Sequence, residues 1–95
     1  MRRIDQQIAR LSDGRVRFDP RQGRLSVLGE DGAVRAQAKV RETELRNRLQ
    51  RLLLNEPPAT GGGDPEERAI RLLLTHAERA ASMPGPCAAL QRLVS

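Results

Sequence analysis

Ninety-five residues, 38% hydrophobic and 31% charged, suit one small domain with an aliphatic core, because Phe18 is the only aromatic residue. The longest runs of large aliphatic side chains, Leu52–Leu54 and Leu72–Leu74, fall far short of the ~20 residues of a membrane-spanning helix. The net charge of +5 is lopsided: residues 1–54 hold thirteen Arg/Lys against seven Asp/Glu, and residues 55–95 hold four against five.

Apolar residues recurring at regular spacing argue for a folded domain rather than a disordered chain. Sixteen of the seventeen cationic residues are Arg, Lys39 being the other, and Tyr and Trp are absent. That bias predicts a GC-rich coding sequence and a bacterial or phage origin. Cys87 is the single cysteine, so no internal disulfide framework is expected and a reducing compartment follows. The opening MRRIDQQIARL lacks the apolar run of a secretory signal. Both points predict a cytoplasmic protein.

Ile4, Ile8 and Leu11, at i, i+4 and i+7, predict a short helix closed by Asp13-Gly14. Three strands are expected next. Val16 and Phe18 alternate with Arg15 and Arg17, and Leu25 and Val27 with Arg24 and Ser26. Val34, Ala36, Ala38 and Val40 then alternate with Arg35, Gln37, Lys39 and Arg41. The connectors 19–23 and 29–32 are rich in turn-forming residues, so the three segments predict an antiparallel meander with one apolar face. Ala36 and Ala38 are also good helix formers, which leaves a helix over 33–41 as the competing reading.

The stretch 40–55 then carries Leu45, Leu49, Leu52 and Leu53 on one helical stripe. It reads as the element around which the rest packs, capped by Thr43, stopped by Asn55 and bearing an outward Glu44–Arg48 pair. EPPATGGG, residues 56–63, reads as a linker. Asp64-Pro65-Glu66-Glu67 predicts an N-cap, a proline in the first helical position and a capping box closed by Glu67. The helix it opens bears Ile70, Leu73, Leu74, Ala77 and Ala81 on one face and runs to about Ser82. Met83-Pro84-Gly85-Pro86 ends it, and a last short helix aligns Leu90, Leu93 and Val94. The expected architecture is therefore a single α+β domain: helix, three-stranded antiparallel meander, central amphipathic helix, capped helix and short C-terminal helix. The passage from Val16 to Leu54 resembles the opening of the winged-helix DNA-binding domains of response regulators. The recognition helix and hairpin wing such domains require do not follow, and no family is assigned.

If the apolar alternates face inward, Arg15, Arg17, Arg24, Arg35, Lys39 and Arg41 project from the other side as a surface for an anionic partner. The bland reading of that face is a solvated sheet whose charges discourage edge pairing. Leu54 and Leu72 point off their helices' apolar stripes and are the candidate protein interface or dimer face, against the ordinary reading of helix burial. His76, without a second histidine or a CxxC, reads as a partly buried structural residue. Cys87 reads as a small core residue. Gly61-Gly62-Gly63 lacks the Lys and Ser/Thr of a phosphate-binding loop and is followed by Asp64, Glu66 and Glu67, which repel anions. No catalytic or metal-binding constellation is legible and no cofactor is implied. The sequence thus predicts a non-enzymatic protein–protein interaction module, an adaptor, chaperone-like or regulatory subunit, binding another protein or a second copy of itself. The alternative is a nucleic-acid-associated protein contacting phosphates through its basic sheet face. No membrane partner is expected.

Overall fold

The computed structural model describes residues 3–55 and 64–94; the expected linker, 56–63, lies outside them. The order is α1 (Ile4–Leu11), β1 (Val16–Asp19), β2 (Arg24–Leu28), β3 (Val34–Lys39), α2 (Glu42–Leu54), α3 (Pro65–Ala81) and α4 (Pro86–Val94). The strands form one antiparallel sheet in the order β1-β2-β3. This is the α+β meander that the alternation predicts, and the alanines of β3 extend rather than coil.

The reason lies in the partner of those alanines. Ala36 and Ala38 are fully buried, and α4 packs closely against β3. Small side chains there let a helix approach the strand backbone. Val16, Phe18, Leu25 and Val27 complete the apolar face, and Ile4, Ile8, Ile70, Leu73 and Leu90 descend onto it from α1, α3 and α4. The helices therefore cover one side of the sheet and leave the other open. Burial on this inner face, at roughly 25 cal/mol per Å² of apolar surface, is what the alternation of the strands encodes.

The hub is α3, which touches α1, α2, α4, β2 and β3. The sequence reading gives that place to α2, and the structure corrects it. Only Leu45 and Leu49 of the α2 stripe are fully buried, while Leu52 and Leu53 are partly buried, and α2 rests on α3 and α4. Its start also differs. The cap position is Arg41, with no side-chain cap, and helix begins at Glu42. The expected Glu44–Arg48 pair is replaced because Arg48 faces α4, where its Nε donates to the Leu93 carbonyl near that helix's end. Arg46 instead reaches Glu42 at 3.8 Å and Glu66 at 3.3 Å, tying α2 to α3.

Asp64 caps α3 by accepting from the Glu66 backbone N–H at 3.1 Å. The box is not closed, because Glu67 turns outward to Arg71 at 2.9 Å. Val34 departs from strict alternation as well. Val27 faces Ala36 but Leu28 faces Val34, so Arg35 is the extra residue of a β-bulge. The slip rotates Val34 outward, where it is 51% exposed. Cys87 is exposed in the first turn of α4, not in the core. His76 is partly buried, as expected.

Both outer strands of the sheet carry a side chain on their free edge. The Ser12 hydroxyl, nine-tenths buried, accepts from the Val16 N–H at 3.1 Å and donates to the Ile8 carbonyl at 2.7 Å. On the opposite edge the Gln91 amide brackets Lys39: Oε1 accepts from its N–H and Nε2 donates to its C=O, both at 2.9 Å. An unpaired edge invites pairing with other chains, and these two plugs interrupt it.

Candidate anion-binding face

Register lays two rows across the open side of the sheet. Arg17, Ser26 and Gln37 stand opposite one another in the first, and Asp19, Arg24 and Lys39 in the second. Each follows from alternation, since its neighbours Val16, Phe18, Leu25, Val27, Ala36 and Ala38 are buried on the inner side. Arg17, Arg24 and Lys39 are exposed. Among the described residues no carboxylate lies within 4.0 Å of their charged nitrogens. Arg24 and Lys39 face each other directly across β2 and β3, a like-charge arrangement that opposes strand pairing.

Of the six cations predicted to share this face, these three do. Arg15 precedes the first residue of β1, before alternation is established, and its guanidinium reaches Glu78 of α3 at 3.8 Å. Arg35, displaced by the bulge, lies over Gly29; a Cβ built on that glycine would come 2.9 Å from the Arg35 Nε. Arg15 and Arg35 both line a small recess of ≈ 180 Å³ with Glu78 and Ser82, at the C-terminal end of α3, where a helix carries partial negative charge. Arg41 stands exposed at the junction of β3 and α2.

Two further arginines join the face from outside the strands. An open hollow of ≈ 470 Å³ on the β1 side is lined by Arg3, Arg17, Arg21 and Arg24, together with Ser26 and Gln37. Asp5 and Asp19 also border it. Asp19 is engaged in the β1–β2 turn, where its Oδ1 accepts from the Arg21 N–H at 2.9 Å and the Gln22 N–H at 3.3 Å. That turn is what presents Arg21 beside Arg24. It is fixed by Gly23, whose φ of 64° suits glycine and whose Cβ, if present, would lie 3.4 Å from the Val40 carbonyl oxygen. Asp5 is paired with Arg3 at 3.3 Å, without hydrogen-bond alignment at its Oδ1. Strand alternation cannot reveal Arg3 or Arg21, because neither lies in a strand. The signal for Arg21 is the Asp-Pro-x-x-Gly turn, which closes the chain back on itself and holds the intervening side chains beside the sheet.

Leu54 and Leu72 do not form an equivalent pair. Leu54, in the last turn of α2, is 83% exposed, whereas Leu72 is partly buried on α3. Among the described residues there is no group of three or more His, Cys, Asp or Glu able to hold a metal ion, and no helix long and apolar enough to cross a membrane. Comparison with protein-family models, with curated proteins and with solved structures gave no match.

Proposed function

We propose that the protein is a non-enzymatic interaction module that docks an acidic partner protein on the open face of its sheet. The Arg24–Lys39 register pair carries this reading. Two cations held opposite each other weaken the sheet that bears them, and a bound carboxylate relieves that repulsion. Guanidinium forks match carboxylates in bidentate geometry, which suits a face dominated by arginine. The plugged edges at Val16 and Lys39 favour docking on the face over strand addition. An acidic protein is favoured over nucleic acid because Phe18, the only aromatic residue, is buried on the inner side, so nucleobases meet no stacking platform there.

Binding of a glutamate-rich peptide, followed by calorimetry, tests this reading. Reversal of the register pair, Arg24→Glu with Lys39→Glu, is expected to weaken binding at least about tenfold, ~1.4 kcal/mol. Leu54→Asp is expected to leave it unchanged. Affinity should fall as salt rises, since the screening length shrinks from about 10 Å at 0.1 M to about 3 Å at 1 M. Loss of binding in Leu54→Asp with none in the charge reversal would move the interface to the helices. Preference for an oligonucleotide over the peptide would make the face a phosphate-backbone surface.

A further inference from the structure

The hollow beside β1 differs from the rest of the face in how its charges are gathered. Elsewhere on the open face charge is gathered only where Lys39 stands opposite Arg24, a two-cation spacing that glutamates can meet. Here Arg17 from β1, Arg21 from the β1–β2 turn and Arg24 from β2 border one hollow. None of the three has a carboxylate within 4.0 Å among the described residues. Arg3 is taken by Asp5, and Asp19 Oδ1 by the turn's own N–H groups. The Ser26 hydroxyl on the central strand and the Gln37 amide on β3 add neutral donors.

A single carboxylate has one negative charge and two oxygens, enough for one guanidinium fork. Three forks around one hollow outnumber it. A phosphoryl ester carries a charge of about −1.5 to −2 and three acceptor oxygens, and accepts several charge-assisted hydrogen bonds from an arginine cluster. The lining holds four guanidiniums and two carboxylates, leaving two positive charges, which a phosphoryl dianion balances and a carboxylate only halves.

We infer that this hollow is a subsite for a phosphorylated side chain of the protein partner, with Arg17, Arg21 and Arg24 as its ligands and Ser26 and Gln37 as neutral donors. The inference rests on the acidic-partner reading and names the group that anchors it.

The test compares a phosphoserine peptide with its glutamate counterpart, titrated into the full chain by calorimetry at fixed ionic strength. The phosphopeptide is expected to bind at least about tenfold more tightly, ~1.4 kcal/mol. Arg17→Gln and Arg24→Gln, both exposed positions, are expected to bring the two peptides to within about threefold of each other. Arg71→Gln, whose guanidinium pairs with Glu67 on α3, should leave the preference intact. Equal affinity of the two peptides for the unaltered protein overturns the subsite while leaving the acidic-partner reading standing. Failure of both peptides to bind overturns both. Tighter binding of single-stranded DNA than of the phosphopeptide also overturns the subsite.

Discussion

Ser12 shows how much of this fold depends on one small polar group. Its hydroxyl is buried among the end of α1 and the start of β1, where it accepts from the Val16 N–H and donates to the Ile8 carbonyl. Replacing it with alanine strands a buried backbone donor, which costs about 1–3 kcal/mol. Ser12→Ala is therefore expected to lower the free energy of unfolding by that amount, read as a lower denaturant midpoint with an unchanged slope. The alternation and helical stripes carry no warning of it, because a serine between a helix and Asp13-Gly14 reads as ordinary turn chemistry. The same blindness applies to Arg15 and Arg35. Their positions fit the alternation, yet a bend before β1 and a bulge in β3 take them to the end of α3. Register, not residue type, decides which arginines share a face, and register depends on turns whose exact closure a pattern of hydrophobicity does not contain. Arg17, Arg24 and Lys39 were legible because each belongs to a strand and adjoins at least one buried strand residue: Val16 and Phe18, Leu25, and Ala38.

At the scale of elements, two boundaries read from turn and cap chemistry are where the structure places them, whereas Thr43, expected to cap α2, lies inside that helix. Asp64-Pro65 opens α3 and Gly14, at φ 82°, lies just past the turn that closes α1. The two carboxylates at the start of α3 are not equivalent, and this can be measured. Asp64→Ala removes the acceptor for the Glu66 N–H and should cost about 0.5–2 kcal/mol. Glu67→Ala loses only an exposed i, i+4 partner, Arg71, and should cost a few tenths of a kcal/mol. Thermal melts of the two variants would check the order; the reverse order would mean that Glu67 closes a capping box in solution. Alternation over four to six residues identified each strand, whereas the helical stripes did not rank the helices. Four leucines make α2 look central, but the alanines of α3, Ala69, Ala77 and Ala80, are buried more completely than Leu52 or Leu53. Small residues that admit close neighbours mark a hub, and a reading weighted towards large side chains passes over them.

For the molecule as a whole, the division is between a sheet closed by local turns and a helix that returns from far along the chain to cover it. The Gln91 amide meets Lys39 across 52 residues. Gln91→Ala removes both of those bonds, each worth about 0.5–1.5 kcal/mol, with water replacing part of the loss at this exposed site. It is expected to destabilise the fold by about 1 kcal/mol and, by baring the strand edge, to produce concentration-dependent association visible by light scattering. A variant that associates no more than the unaltered protein would show that packing of α4, rather than its amide, guards the edge. The span between the two residues also sets an order of events. Hairpins close in microseconds, and β1, β2 and β3 leave the ribosome before α4 is made. Until that helix arrives, β3 presents a naked backbone edge beside an uncovered strip of alanine. The interval between its synthesis and its covering is the moment at which a nascent chain of this sequence is most exposed to capture by a neighbour.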